Sequence, residues 1–252
     1  MTTRPEQQLV SIVLPVYNEA ENIENVIVEV SKSCKDLNHE IIVSEDGSVD
    51  GTPLILMDLV QSFDRLKIIS SKARLGKAQA ITEALRHVSG DIVVVMDPDG
   101  SHDPAEIHKL IKPIMQGQAD LVIGSRFAKG GRAHLHIFNR FLSHIANLIV
   151  TLITSGRISD AFSGFRAYSR RVMNVVGGIT DSKYYDFEIE SVLKVSRVGF
   201  KVKEVPIRER TRYSFWYGKS KANLPARIFV NLIKLLVSDL ITTTKKRMFL
   251  RW

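Results

Sequence analysis

The chain has 252 residues, 44% of them hydrophobic, a net charge of +8 and one cysteine. This is enough apolar content for a substantial core, which excludes a disordered chain, and the lone Cys34 excludes an internal disulfide or a cysteine-rich zinc site. The charge is lopsided: Phe200 to Trp252 holds 13 Lys or Arg against 3 Asp or Glu, so everything before it is slightly acidic.

The polar stretch Met1 to Gln8 leads straight into an apolar run, so neither a signal peptide nor a transit peptide is expected, and a cytosolic setting fits. A strand is expected at Leu9–Leu14, a helix at Glu19–Ser33, a strand at Glu40–Val43 and a helix at Thr52–Ser62. The alternation continues with strand Leu66–Ser70, helix Lys77–Val88, strand Asp91–Met96, helix Pro104–Met115 and strand Ala119–Ile123. Runs such as Ile92 to Met96 are apolar without alternation, as in strands covered on both faces, so an α/β fold with a mainly parallel sheet flanked by helices is expected. Ligands of such sheets sit beyond the carboxyl ends of the strands. Four loops therefore matter: those after Leu14, Val43, Met96 and Ile123. Three contain carboxylates, and the fourth contains Arg126.

The second half differs. From His136 to Thr154, apolar residues recur at three- and four-residue intervals, while Arg140, Ser143, His144, Asn147 and Thr151 hold the opposite face. The uncharged run from Phe141 to Gly156 is shorter than the roughly 20 apolar residues that a spanning helix needs. A second amphipathic helix is expected over Pro225–Ile241, followed by Lys245-Lys246-Arg247. Both read as interfacial helices, lying on a membrane surface.

The chemistry centres on Asp97 and Asp99. Two carboxylates one residue apart at a strand end suit a hard divalent cation that also binds a diphosphate; ordinary turn chemistry around Gly100 is the other reading. The strand before the pair, and Asp46 in a similar loop, favour the first. Asp46 and Glu19 are candidate acceptors for the N–H and hydroxyl groups of a nucleoside, although Glu19 also suits a helix N-terminus. Ser48-Val49-Asp50-Gly51 reads as the cap of the following helix, without a catalytic role. His102, next to Asp103-Pro104, reads as structural.

Seven motifs in this order resemble glycosyltransferase family 2, and within it the polyprenol-phosphate mannose synthases. They are Leu14-Pro15-Val16-Tyr17-Asn18-Glu19, Glu45-Asp46-Gly47-Ser48, Met96-Asp97-Pro98-Asp99, Gly124-Ser125-Arg126, Ser159 to Arg166, Glu204-Val205-Pro206-Ile207 and Gly218-Lys219-Ser220-Lys221. The resemblance implies a GT-A (Rossmann-like) fold, GDP-mannose as donor, Mg²⁺ or Mn²⁺ as cofactor and a polyprenyl (dolichyl) monophosphate as acceptor. It places Pro15, Tyr17, Glu19, Asp46, Asp97, Pro98, Asp99 and Arg126 around the nucleotide sugar, with Asp97 and Asp99 on the metal. It places Arg140, Ser143, Arg212 and Lys221 around the acceptor phosphate, with Asp99, Arg126 and Arg212 as the catalytic set. Of Arg208, Arg210 and Arg212, the last is nearest the Gly-Lys-Ser-Lys motif and is favoured.

Ser44-Glu45-Asp46 stands where the family commonly has Val-Asp-Asp, and Ser101 where some relatives place a metal-site Gln. Phe187-Glu188-Ile189-Glu190, at the start of a helix, stands where relatives carry a similar Phe-Gln-x-Glu.

The expected organisation is a catalytic domain over 8–221 and a basic, membrane-associating segment over 222–252, on the cytoplasmic face of a membrane. Small membrane subunits also suit the apolar helix faces. A polyprenyl-phosphate glucosyltransferase using UDP-glucose shares nearly every motif. A processive polysaccharide synthase is disfavoured by the lack of Gln-x-x-Arg-Trp, and a dinucleotide oxidoreductase by the lack of Gly-x-Gly-x-x-Gly. Nucleic acid is not an expected partner, because it would leave the carboxylate loops unexplained.

Overall fold

A computed structural model describes residues 8–133, 137–154, 156, 158–178 and 187–210. Its first half alternates as the sequence pattern requires: β1 (Val10–Val16), α1 (Ile23–Ser33), β2 (His39–Glu45), α2 (Thr52–Ser62), β3 (Leu66–Ser70) and α3 (Lys77–Leu85). Next come β4 (Ile92–Val95), a 3₁₀ turn at Pro104–Glu106, α4 (Ile107–Met115) and β5 (Leu121–Ser125). The second half holds α5 (Ile137–Thr154), β6 (Arg166–Ser169), the short α6 (Met173–Val176), α7 (Phe187–Arg197) and β7 (Val202–Pro206).

The strands form one sheet in the order β3-β2-β1-β4-β6-β5-β7. All pairings are parallel except those of β6, which runs antiparallel between β4 and β5. From β1 the chain moves outward through β2 and β3, then returns to place β4 on the other side of β1. The order reverses between β1 and β4, and a crevice opens there at the carboxyl ends.

Strand alternation builds two cores. Ile12, Leu14, Ile92 and Val94 pack with Ile23 and Ile27 of α1, Leu56 of α2 and Ile107 and Leu110 of α4. Val13, Val93 and Val95 pack on the other face with Ile81 of α3, Val150 of α5 and Val192 of α7. Each such fully buried aliphatic side chain contributes roughly 1.5–3 kcal/mol. The result is a three-layer helix/sheet/helix sandwich that fixes the strand ends rigidly.

Element bounds shift at functional loops. α1 begins at Ile23 rather than Glu19, because Asn18 takes the left-handed conformation at φ 54 and the Glu19 carbonyl accepts from the N–H groups of Asn22 and Ile23. β5 extends through Ser125, so Gly124 and Ser125 lie in the strand, with Gly124 paired to Val205 and Ser125 to Pro206 of β7. Arg126 is the first residue beyond it.

α5 docks through its polar row. Asn147 is buried; its Nδ2 donates to the Ser159 carbonyl and its Oδ1 accepts from the Ala161 N–H at 2.9 Å. The Thr151 hydroxyl donates to the Ile158 carbonyl and accepts from its N–H. Ala146 and Val150 complete this inner face, while Leu148 and Leu152 of the apolar row are 60% and 73% exposed. No helix among the described residues is long and apolar enough to cross a membrane.

Candidate active site

The loops after β1 and β2 are tied to one another by side chains. Asn18 N–H donates to the Ser48 hydroxyl, Val49 N–H to Asn18 Oδ1 and Glu19 N–H to Thr52 Oγ1, each at 2.9 Å. The residue that caps α2 is Gly51, and Asp50 before it accepts from the N–H groups of Thr52 and Ala20, tying the start of α2 to the β1 loop. Pro15 is buried at the end of β1. Tyr17 is half-buried, and the Arg74 guanidinium lies 3.9 Å from its ring centroid, so an aromatic face and a cation border the crevice together. The Glu19 carboxylate accepts from Asn22 Nδ2 at 2.8 Å, which aims it along the entrance to α1.

Asp46 organises the next layer. Its two oxygens accept from the N–H groups of Leu75 and Gly76 at 2.7 and 2.8 Å, which draws the β3–α3 loop onto the β2 loop. Gly47 permits that approach: at φ +69, a Cβ there would sit 2.8 Å from the Ala73 carbonyl carbon. Asp46 thereby fixes where α3 starts, and Lys77 is the first residue of α3.

Lys77 is a site residue that the sequence pattern did not single out. Its Nζ lies 2.6 Å from Asp97 Oδ1 and 2.7 Å from Glu188 Oε1. Burial opposes its charge, but the two carboxylates override that and hold its pKa above the usual lysine value. One signal was available: a lysine in the first turn of a helix opposes the macrodipole, so it needs carboxylates nearby.

Asp97 is held from several sides. Its backbone N–H donates to His102 Nδ1 at 3.1 Å. The His102 ring stacks on Phe165 with centroids 4.8 Å apart, and burial pushes its pKa down, so it serves as a neutral acceptor. This is the structural role expected of it. Asp103 caps the turn that follows by accepting from Ala105 N–H. Asp99 Oδ1 accepts from both the backbone and the hydroxyl of Ser101. Gly164 closes the far side of Asp97: a Cβ there would meet Asp97 Oδ2 at 2.8 Å and Lys77 Nζ at 3.0 Å.

Gly164→Ala is accordingly expected to displace the Asp97–Lys77 pair and weaken binding of a nucleotide-sugar donor about tenfold, as for an outer-shell defect at a metal site. Calorimetric titration with GDP-mannose and Mn²⁺ checks it, and wild-type affinity would refute the close contact.

Arg126 lies where β5 ends, but its guanidinium is engaged. Nε and Nη2 make a two-pronged contact with Asp160 at 2.8 and 2.9 Å, and Nη1 lies 3.5 Å from Glu209. Asp160 is in turn positioned by Glu204 of β7, which accepts from the N–H groups of Ser159 and Asp160 and from the Ser159 hydroxyl. Glu204 to Ile207 formed a sequence motif without an assigned role; holding the 159–160 turn is that role. Arg166, 1% exposed, donates to the carbonyls of Ala161, Ser163 and Glu188, binding this turn to α7.

Beyond β7 the chain crosses the front of the site. Arg210 donates to Glu29 Oε2 and Asp103 Oδ1 at 2.6 and 2.7 Å, and its N–H reaches the Ser101 carbonyl. Arg208 is exposed. The Arg210 contacts hold its guanidinium on Glu29 and Asp103. Arg140 and Ser143 lie on the first half of α5. Arg212, Lys221, the aromatic residues Tyr213 and Phe215 to Tyr217, and the helix expected over Pro225–Ile241 lie outside the described residues.

Asp97 and Asp99 are the residues here that fit a divalent cation. Among the described residues no cluster of three or more His, Cys, Asp or Glu is poised for a metal. Two carboxylates suit Mg²⁺ or Mn²⁺ when substrate phosphate oxygens and water complete the shell. The set therefore fits a cation that arrives with a diphosphate.

A helix/sheet/helix sandwich with paired carboxylates at the reversal point of its sheet is the architecture of a GT-A glycosyltransferase. The sequence pattern of glycosyl transferase family 2 matches residues 11–177, and this chain belongs to that family. It is 36% identical over 213 residues to a polyprenol monophosphomannose synthase of Mycolicibacterium smegmatis, covering 82% of this chain and 78% of that protein. It is 34% identical over 200 residues to a dolichol-phosphate mannosyltransferase of Pyrococcus furiosus, covering 78% of this chain but 55% of that one. Among solved structures, glucosyl-3-phosphoglycerate synthase of Mycobacterium tuberculosis, in complex with Mn²⁺, UDP and glucosyl-3-phosphoglycerate, superposes with a TM-score of 0.66 at 21% identity. That match covers 90% of this chain and 79% of the synthase, and the shared fold is GT-A.

Proposed function

We propose that this glycosyltransferase transfers mannose from GDP-mannose to a polyprenyl (dolichyl) monophosphate, with inversion at the sugar carbon and dependence on Mg²⁺ or Mn²⁺. The observation that carries the reading is its 36% identity to a polyprenol monophosphomannose synthase, in a chain with Asp97 and Asp99 just beyond the carboxyl end of β4. The use of a divalent cation is supported by the Mn²⁺ and UDP in the superposed synthase, and by a two-carboxylate set that a diphosphate completes.

A phosphate monoester is already anionic near neutral pH, since its second pKa is about 6, so no strong general base is required. The site has to neutralise two approaching anions and align an oxygen with the sugar carbon. Pro15, Tyr17, Glu19 and Asp46 frame the nucleoside, and Asp97, Pro98 and Asp99 face the diphosphate. Arg126, held by Asp160, lies beside the donor phosphates or sugar, while Arg140, Ser143, Arg212 and Lys221 receive the acceptor phosphate. The cation, when bound, stabilises the departing nucleoside diphosphate. The catalytic unit spans 8–221. α5, which turns Leu148 and Leu152 outward, and the basic segment 222–252 bring it to the cytoplasmic face of a membrane. Small membrane subunits are compatible partners for the same faces.

The test offers the purified protein GDP-mannose, UDP-glucose and UDP-N-acetylglucosamine, each with polyprenyl phosphate and Mn²⁺. Sugar is expected in the organic phase from GDP-mannose. Transfer from UDP-glucose instead would reassign the sugar, and no transfer from any donor would sink the lipid-phosphate reading.

A further inference from the structure

We propose that Lys77 is a tethered cation that occupies Asp97 until a divalent cation binds, and that Glu188 is the partner that receives Lys77 when Asp97 is surrendered. The inference rests on the divalent-cation reading above and concerns how this chain prepares for that ion.

Three observations carry it. First, Lys77 Nζ bridges Asp97 Oδ1 and Glu188 Oε1 at nearly equal distances, 2.6 and 2.7 Å. Two cations sharing one carboxylate repel each other, so a divalent ion on Asp97 weakens the hold of Lys77 there. Second, Glu188 has capacity in reserve: its side chain is 5% exposed, and Oε2 is buried without a hydrogen-bond partner. A buried, half-satisfied carboxylate is costly, and a full share of the ammonium relieves that cost. Third, the cluster is set by its neighbours: Gly164 packs against both Asp97 and Lys77, where an added Cβ would lie 2.8 Å from Asp97 Oδ2 and 3.0 Å from Lys77 Nζ, and Arg166 anchors the Glu188 backbone by donating to its carbonyl. Lysine suits the task because its ammonium is a compact charge on a flexible stem.

A carboxylate at position 188 both accepts from the lysine ammonium and balances its charge. Lys77 and Glu188 are thus positioning residues: they act on the metal through Asp97.

The experiment measures Mn²⁺ binding by electron paramagnetic resonance, with GDP or UDP present, in the full-length wild type and in Glu188→Gln, Glu188→Asp and Lys77→Met/Glu188→Gln. Metal-free melting temperatures accompany each to establish folding. Glu188→Gln removes the receiving charge, and Glu188→Asp keeps the charge but withdraws it from reach of Lys77. Each is expected to weaken Mn²⁺ binding about tenfold, at the lower end of outer-shell effects. The double variant, in which nothing competes for Asp97, is expected to regain wild-type affinity or exceed it. Glu188→Asp matching wild type would mean that Glu188 acts only through its general field, and would overturn the handover. So would unchanged affinity in both single variants, or a double variant as weak as Glu188→Gln. If the wild type binds no Mn²⁺ with either nucleotide, the divalent-cation reading itself fails and takes this inference with it.

Discussion

Replacement of Asp99 by Ala is expected to abolish metal-dependent donor binding and to lower kcat/KM about a thousandfold, the scale of losing a main electrostatic stabiliser of transition-state charge. The fold is expected to survive. Asp99 is part-exposed in a loop beyond β4, and the Ser101 contacts that the variant loses are worth about 1 kcal/mol each. The decisive measurement is titration of GDP with and without Mn²⁺: the wild type gains affinity from the metal and the variant does not. A variant whose GDP affinity still rises with Mn²⁺ would refute the role assigned to Asp99. Normal metal-free thermal unfolding separates loss of the site from loss of structure.

Asp160→Ala is expected to act through stability. The Asp160 side chain is fully buried and engages three N–H groups of Arg126, one of them backbone. Its removal strands a guanidinium whose remaining acidic neighbour, Glu209, lies 3.5 Å away. Breaking a buried pair from one side costs about 3–5 kcal/mol, because the surviving charge is left in a poor solvent. The loss is to be read from urea unfolding of the purified protein. A change below about 1 kcal/mol would show that Glu209 and solvent replace Asp160, which surface-like pairs permit. Arg126→Met combined with Asp160→Leu is expected to recover most of the stability without recovering transfer activity, separating the structural value of the pair from the donor role proposed for Arg126.

Much of the first half was legible because each parallel strand there is an uninterrupted apolar run and each helix carries one apolar stripe. Asp46, Asp97 and Asp99 stood out because carboxylates directly after such strands have few structural reasons to be there. β6 gave no such pattern. It is four residues long, begins with the buried Arg166 and runs antiparallel, so the residues that reach the site come before the strand, at 158–165. Loops after strands do not include Asp160 and Gly164 for that reason; they entered only within the Ser159 to Arg166 motif, without a role. β7 lies at the sheet edge, contains Lys203 and Glu204 and ends in Pro206, which hides it from hydropathy. Lys77 was hidden differently: its partners Asp97 and Glu188 meet it only through the tertiary fold, and no local spacing encodes a three-body contact.

The way α5 is fastened bears on how the protein is handled. Its inner face is held by Asn147 and Thr151 hydrogen bonds to the 158–161 backbone together with Ala146 and Val150, while Leu148 and Leu152 point away. Detergent competes for apolar surface and has little purchase on amide hydrogen bonds, so a micelle can cover the outer row without prising the helix off. Because the same turn carries Asp160, extraction in mild detergent should preserve the setting of Arg126, whereas urea, which solvates peptide groups, should loosen helix and arginine together.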